Sequence, residues 1–500
     1  MSDAASRDAR LQTGPRTVPS PSKDSADKPI CVDLDGTLIR TDALVESFLS
    51  ILSSRQGLSN LPRLLVASRA ALKQQIGALA DLALELLPYN SELIAYLHER
   101  KRAGRTIVLA TAADKGTARL IADHLGIFDQ VIASDGVRNL KGEAKAKELV
   151  RRFGSKGFDY VGSDHADLAV WREADGIIVA NAPTAISRQA RALGNIVAEF
   201  PRRAPLLPAA VRAMRPHQWV KNLLVFVPLV ASRSFTDVPG ILGALAMFAS
   251  FCATASGIYL LNDLLDLPAD RRHPRKRHRP FASGELPLTF GAVLAAALVA
   301  VGFVLALQVG GGYLIAAYAL LSLAYSLRLK QFPLLDIFIL AGLYTLRVVA
   351  GGVASHHPVT LWLLAFSGFT FLSLALVKRT AEVQQIGQAS SNPAVTRRGY
   401  FPEDRPMLLM SGVASAFASS IVLALFVGSS YAFEQYRSPE VLWALVPLIL
   451  FWQLRLWLST ERGHIHDDPI IYASRDWVSW LVAISVVVIV VLASWVARFW

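Results

Sequence analysis

Asn262-Asp263-Leu264-Leu265-Asp266-Leu267-Pro268-Ala269-Asp270 closes a long apolar stretch, and Arg271-Arg272-His273-Pro274-Arg275-Lys276-Arg277-His278-Arg279-Pro280 follows without a gap. The spacing i, i+3, i+7 predicts that Asp263, Asp266 and Asp270 share one helical face, at the depth where hydrocarbon gives way to water. Carboxylates at that depth are costly unless they bind something, and hard oxygen ligands grouped in this way suit Mg²⁺. A Mg²⁺ site beside a basic run is what a diphosphate substrate requires. The plain alternative is a solvated loop whose charges anchor helix ends. Three in-phase aspartates preceded by an asparagine set this stretch apart from such loops.

Working outward, residues 1 to about 205 read as a soluble segment, whereas the rest is a series of apolar runs long enough to cross a bilayer. Nine are counted, at roughly 219–236, 240–261, 286–308, 311–328, 333–354, 359–377, 407–430, 438–458 and 477–499. The first is short and interrupted by Pro228. Hydrophobic residues make up 53% of the chain, with a mean hydropathy of +0.38, too apolar for an average soluble protein.

Nine spans would put the termini on opposite sides, and basic residues set the orientation. On the side of the N-terminus lie Arg271, Arg272, Arg275, Lys276, Arg277, Arg279, Arg328, Lys330, Lys378, Arg379, Arg397, Arg398, Arg405, Arg455, Arg462 and Arg475. The other side offers Arg233, Arg437 and Arg498. The asymmetry places the soluble segment and the aspartate loop in the cytoplasm, on a multi-pass protein of a bacterial inner membrane. The net charge of +12 is then positive-inside bias plus contacts to anionic substrates or membrane lipids, which argues against a nucleic-acid partner. Residues 1–28 read as a disordered polar tail rather than a signal peptide. Cys31 and Cys252 fall in different domains, so no disulfide is expected. No repeat of 20–50 residues is present.

In the soluble segment, Pro29-Ile30-Cys31-Val32-Asp33-Leu34-Asp35-Gly36-Thr37-Leu38 is a buried strand running into two aspartates and a tight turn. A second strand, 106–110, ends at Thr111. A third, 158–162, ends at Ser163-Asp164-His165-Ala166-Asp167. Strands alternating with helical stretches predict a doubly wound parallel sheet over 29–205, with a helical cap at about 42–87. This ordered set resembles the haloacid dehalogenase superfamily. The resemblance implies that Asp33 is a nucleophile forming an aspartyl-phosphate, and that Asp35 is the general acid/base with its carbonyl on Mg²⁺. It implies further that Thr111 holds phosphoryl oxygens, that Lys145 neutralises charge, and that Asp164 and Asp167 complete the metal set. Ser163 stands where the family places an aspartate, which leaves both an active and a degenerate phosphatase open.

The membrane half, 212–500, resembles the UbiA superfamily of intramembrane prenyltransferases, and more closely its decaprenyl-phosphate phosphoribosyltransferase branch. The resemblance rests on Arg215-Pro216-His217-Gln218-Trp219-Val220-Lys221-Asn222 and on Asp263, Asp266 and Asp270 leading into His273-Pro274 and Arg279-Pro280. It rests also on Tyr325-Ser326-Leu327-Arg328-Leu329-Lys330 followed by Asp336, on Arg347 before Gly351-Gly352, on Lys378-Arg379 with Glu382, and on Arg462-Gly463 with His466-Asp467-Asp468-Pro469. It implies an all-α polytopic domain with Mg²⁺ on the three aspartates. Substrate would be bound by Asn262, Lys221, Asn222, Arg271, Lys276, Arg279, Tyr325, Lys330, Asp336, Arg347, Lys378 and Arg379.

Aromatic prenyltransferases of the superfamily usually carry a second DxxxD motif after the fourth span. Here Asp336 stands alone behind Arg328 and Lys330, a change suited to an anionic second substrate. Lys330, Arg328, Lys378 and Arg379 also fit the role of snorkelling span-end anchors. Arg347, well inside a span, lines a cavity or meets a counter-charge. The implied reaction is transfer of 5-phosphoribose from phosphoribosyl pyrophosphate to a polyprenyl phosphate, in a pathway feeding arabinan to the cell wall. The fused domain would dephosphorylate the product. The rivals are a conventional prenyltransferase and a non-catalytic lipid-binding or transport protein with a vestigial regulatory domain.

Overall fold

The structure, a computed structural model, describes residues 28–53, 82–135, 138–202, 205–234, 236–389, 399–465 and 468–495. All of the expected tail except residue 28, as well as 54–81 of the cap, Arg397, Arg398, His466, Asp467 and Arg498, lie outside the described residues. Contacts divide the chain into two compact units. One is Met1–Ala213 with Asp263–Ala292, and the other is Met214–Asn262 with Val293–Trp500.

In the first unit, β1 (Ile30–Val32), β2 (Ile107–Asp114), β3 (Gln130–Ser134), β4 (Asp159–Gly162), β5 (Gly176–Ala180) and β6 (Asn195–Phe200) form one sheet in the order β3-β2-β1-β4-β5-β6. Every neighbouring pair is parallel. The near-continuous apolar strands follow from burial on both faces. Ile30, Val32 and Leu109 pack into one core, and Cys31, Val108 and Tyr160 into the other. This is the doubly wound sheet expected.

Strand order departs from β1 in both directions, so the crevice lies beyond the carboxyl ends of β1 and β4. Asp33 and Asp35 follow β1 directly. Gly36 comes next with φ +74°, and a Cβ there would lie 3.0 Å from Ser163 Oγ, so the turn demands glycine twice over. β2 runs on to Asp114 rather than ending at 110, which leaves Thr111 inside the strand. Of the expected cap, the helix Ala43–Ser53 and the short turn Leu84–Leu86 are described.

Among the described residues seven helices are long and apolar enough to cross a membrane: Val238–Leu265, Leu288–Gln308, Leu335–Ala354, Leu361–Gln385, Pro402–Val427, Pro439–Glu461 and Trp477–Trp495. Gly312–Leu327 is apolar but shorter. The expected count of nine is therefore not met. The first expected span, 219–236, is instead a 3₁₀ segment, Pro216–Phe226, followed by a five-residue helix, Val227–Ala231. Arg215 at φ +55° starts the segment, and Pro228 removes a backbone donor at the junction.

Burial separates the remaining spans. Val238–Leu265 and Leu335–Ala354 are 61% and 56% buried and carry Asn262 and Arg347 respectively. Leu288–Gln308 and Trp477–Trp495 are only 22% buried at mean hydropathies of 2.6 and 2.5. Helices so apolar and so exposed need hydrocarbon around them. At Gly351 an added Cβ would meet the Val225 carbonyl at 1.9 Å, so the bare backbone lets the 3₁₀ segment press against Leu335–Ala354 and bring Asn222 to Arg347.

Candidate active sites

The first unit holds a cavity of about 390 Å³ lined at its base by Asp33, Asp35 and Lys145. Lys145, on the helix Glu143–Phe153, donates to Asp33 Oδ1 at 2.7 Å and to the Tyr160 hydroxyl at 2.8 Å. Tyr160 in turn donates to Asp167 Oδ1 at 2.7 Å. Burial alone would lower the Lys145 ammonium, but the carboxylates of Asp33 and Asp167 raise it above its ordinary value. Lys145 therefore stays cationic beside the expected nucleophile. Burial, with Asp42 nearby, pushes the Asp35 carboxyl up to about 8, and burial likewise pushes the Asp33 carboxyl up to about 7 against the pull of Lys145.

Three expected residues behave differently. Thr111 is fully buried, accepts from the Ala113 N–H at 3.0 Å and does not line the cavity, because β2 continues past it. Asp167 Oδ2 accepts from the backbone N–H groups of Ser163 and Asp164, so it braces the loop after β4. Asp164 Oδ1 accepts from its own loop at Ala166. Asp33, Asp35 and Asp164 still line one cavity, and carboxylates are the donors Mg²⁺ takes. A bound ion would draw on Asp33 and would take Asp164 away from its turn. Tyr160 was not anticipated. Nothing but its place on a buried strand could have marked it.

The aspartate loop also falls in the first unit. The helix Val238–Leu265 ends one residue before Asp266, and Leu267–Arg272 starts anew with Pro268 in its first turn. The three aspartates therefore do not share one continuous helical face. The break nevertheless folds Asp270 back, so that Asp263 Oδ1 and Asp270 Oδ2 accept from one Arg279 nitrogen at 3.0 and 2.6 Å. Two carboxylates converging on a single cationic atom is the donor chemistry of a metal site, with the guanidinium as stand-in. Among the described residues no group of three or more His, Cys, Asp or Glu is gathered as a metal cage. Mg²⁺ is commonly held by one or two carboxylates plus substrate phosphates, so the pair fits it. Burial raises the Asp270 carboxyl, and Arg279 opposes that rise. Lys276 is exposed in the next turn, and its charge is felt at Asp270.

Arg271, expected at the substrate, is engaged within the first unit. It makes a buried bidentate pair with Glu46 (2.9 and 2.5 Å) and donates to the Ala282 carbonyl. Glu46→Ala would leave that guanidinium buried and unpaired, and is expected to destabilise the first unit by about 3–5 kcal/mol. Thermal unfolding of the purified protein checks this; an unchanged midpoint would refute it.

In the second unit, Asp468 is a hub. It accepts from Lys221 at 2.7 Å, from the Tyr344 hydroxyl at 2.8 Å and from Lys378 at 3.5 Å. Burial would raise its pKa, but Lys221 and Lys378 hold it well below the usual carboxylate range. Arg347 is buried, donates to Asn222 Oδ1 at 2.9 Å and to the Tyr318 hydroxyl at 3.1 Å, and lies 4.8 Å from the Tyr318 ring and 5.3 Å from that of Phe251. Among the described residues no carboxylate pairs with it. Lys221 and Arg347 each lie 6.0 Å from the Tyr344 ring, so Arg347 stands beside the two lysines that share Asp468.

Asp336 is consumed internally. It is fully buried, paired with Arg379, and accepts from the Tyr400 hydroxyl at 2.6 Å. Arg379 also pairs with Glu382 and reaches Tyr325. Asp336, Arg379 and Tyr325 thus share one buried polar network, in which the Arg379 Nε is left without a hydrogen-bond partner. Asn262 donates to Ser326 at 2.9 Å. Lys330 lies in the turn Leu329–Gln331 with no ion pair among the described residues.

The profile of the UbiA prenyltransferase family matches residues 223–469. The protein designated y4nM of Sinorhizobium fredii is 35% identical over 91% of this chain and 89% of its own. Nodulation protein NoeC of Azorhizobium caulinodans is 38% identical over 53% of this chain and 86% of its own. Decaprenyl-phosphate phosphoribosyltransferase of Mycobacterium tuberculosis is 32% identical over 56% of this chain and 93% of its own. A solved UbiA homologue from Archaeoglobus fulgidus bound to GPP and Mg²⁺ covers 57% of this chain and 99% of its own, at 17% identity and a TM-score of 0.44. The chain belongs to the UbiA prenyltransferase family. It is a multi-pass membrane enzyme of the prenyl-transferase type, fused to an N-terminal domain with a doubly wound sheet in which Lys145 pairs with Asp33.

Proposed function

We propose that the membrane half transfers 5-phosphoribose from phosphoribosyl pyrophosphate to a polyprenyl phosphate, and that the N-terminal half removes the 5-phosphate from the lipid-linked product. The observation that carries the first part is Arg347: a buried guanidinium with no carboxylate partner, beside two lysines that share Asp468. Such a cluster is short of negative charge, and a phosphate group supplies it. The similarity to the mycobacterial enzyme, across nearly all of that enzyme's length, supports the choice of substrates.

In this reading the anomeric C1–O bond to pyrophosphate breaks and an oxygen of the lipid phosphate forms the new bond to C1. The products are polyprenyl-phosphoryl-5-phosphoribose and pyrophosphate. The attacking oxygen is already anionic, so no general base is needed, which suits a cluster built of cations. Asp263 and Asp270, with Asp266 at the helix break, would hold Mg²⁺, which supplies charge neutralisation at the diphosphate. Asn222 orients Arg347, and Asp468 fixes Lys221 and Lys378. Conventional prenyl transfer to a neutral ring would bring one anionic substrate, the prenyl diphosphate, whereas phosphoribosyl transfer brings two, which gives both the aspartate site and the Arg347 cluster an anion to bind.

The bias of basic residues supports placing the N-terminal half and the aspartate loop on the cytoplasmic face of a bacterial inner membrane. With the aspartate loop and the N-terminal domain on one side, the chain between them must cross twice. Eleven residues of 3₁₀ helix rise about 22 Å and five of α-helix about 8 Å, so Pro216–Ala231 matches the roughly 30 Å of hydrocarbon.

Arg347→Ala is expected to raise KM for one of the two anionic substrates by roughly tenfold or more, the loss of a charge-assisted contact. Lys330→Ala, at a residue outside the cluster, is expected to change it by less than about twofold. Steady-state kinetics in Mg²⁺ checks both; wild-type KM values in Arg347→Ala would make the cluster structural.

A further inference from the structure

The Asp33 cavity has a wall that a soluble phosphatase would not need. Pro287, Leu288 and Thr289 line it, and Leu288 is the first residue of the candidate span Leu288–Gln308. The next residue, Phe290, is exposed. The cavity thus opens beside the first turn of an apolar helix whose remaining length requires hydrocarbon. A hydrocarbon chain attached to a substrate in this cavity has an apolar surface to follow at once.

The same wall carries Arg202. It donates through Nη2 to the Glu285 carbonyl at 3.0 Å, which fixes its direction. Its Nε is buried and has no hydrogen-bond partner. The Glu285 carboxylate is committed to Arg212, and among the described residues no carboxylate pairs with Arg202. The other acids at the cavity edge are also engaged. Asp42 accepts from Leu44 and Val45, Asp114 from Gly116, and Asp164 from Ala166. Lys145, by contrast, is spent on Asp33 at the base. Arg40, Lys141, Lys145 and Arg202 all line the cavity, and of these Arg202 is the one held against the segment that leads into the membrane helix, with a buried nitrogen left over.

We propose that the Asp33 site is specific for a membrane-anchored substrate bearing two anionic groups, a terminal phosphomonoester and a phosphodiester, with Arg202 the residue that reads the phosphodiester. This rests on the phosphatase reading above. Asp33 attacks the monoester phosphorus, the P–O bond to the sugar breaks, and the leaving alkoxide takes the proton of Asp35. Water then cleaves the aspartyl-phosphate, returning its proton to Asp35 and releasing inorganic phosphate. Arg202 touches neither bond. It positions the far end of the substrate, and so acts on KM rather than on kcat.

The test uses the full chain in lipid nanodiscs and three probes: ribose 5-phosphate, its 1-(methyl phosphate) diester and its 1-(farnesyl phosphate) diester, with phosphate release measured for each. The expected order of kcat/KM is farnesyl diester, then methyl diester, then ribose 5-phosphate. Arg202→Gln is expected to raise KM for both diesters by roughly tenfold, and for ribose 5-phosphate by less than about twofold, with partial rescue by Arg202→Lys. Equal KM changes for all three probes, or no change for the diesters, would overturn the role of Arg202. Equal use of the two diesters would overturn membrane anchoring. Release of phosphate from none of them by wild-type protein would instead defeat the phosphatase reading itself, and Asp33→Asn identifies the site by abolishing all release.

Discussion

Asp263→Ala is expected to cut phosphoribosyl transfer by roughly a thousandfold, about 4 kcal/mol of transition-state stabilisation. The carboxylate converges with Asp270 on one cationic atom, and removing it leaves the leaving pyrophosphate without its neutralising ion. Folding should survive, since Asp263 contributes no buried apolar surface and Arg279, its partner, keeps Asp270. Asp266→Ala should be milder than its place in the motif suggests, because Asp266 sits at the helix break and caps nothing. Turnover of both variants under saturating Mg²⁺ checks the ranking. Wild-type turnover in Asp263→Ala, or in the presence of EDTA, would remove the metal from the account.

Asp33→Asn should leave phosphoribosyl transfer at its wild-type rate while 5-phosphorylated lipid accumulates. The amide cannot attack phosphorus, and it also loses its charge against Lys145 at 2.7 Å. The phosphatase step should fall by three or more orders of magnitude, as expected when a covalent nucleophile is lost. Tethering explains the fusion: a second active site on the same chain meets the membrane-held product at high effective concentration without any further contact. Thin-layer separation of the lipid products, with and without alkaline phosphatase, measures the ratio. The same ratio in wild type and Asp33→Asn would make the N-terminal half a scaffold.

What could be read from the chain and what could not divides along sequence distance. Asp33 and Asp35 are legible because strand ends in an open α/β sheet bring short motifs to one crevice, whereas Lys145, on the helix Glu143–Phe153, is reached only through the family resemblance. Asp263 and Asp270 were legible from spacing, though by the wrong geometry: Pro268 starts a new helix, and it is the break, not a shared face, that brings the pair together on Arg279. The pairing of Arg271 with Glu46 is not legible in the chain because the two lie 225 residues apart. Asp468 was visible only as part of a loop motif, since its role depends on Lys221, Lys378 and Tyr344 from three separate elements. That Asp336 and Arg379 pair with each other is not legible in the chain, because no pattern in sequence shows which buried charges meet. The segment at 219–236 reads as apolar but not as two joined helices, because hydropathy measures apolarity and not helical continuity, and the buried Lys221 and Asn222 needed partners that a straight helix would not give them.

The central claim is that one chain moves phosphoribose onto a membrane phosphate. Purified protein in nanodiscs, Mg²⁺, a polyprenyl phosphate and phosphoribosyl pyrophosphate labelled in the ribose, followed by organic extraction, measures this directly. Label is expected in the lipid phase with stoichiometric pyrophosphate release, both lost in EDTA and in Asp263→Ala. Label confined to the aqueous phase, with transfer instead from a prenyl diphosphate to an acceptor in the same preparation, would contradict the claim.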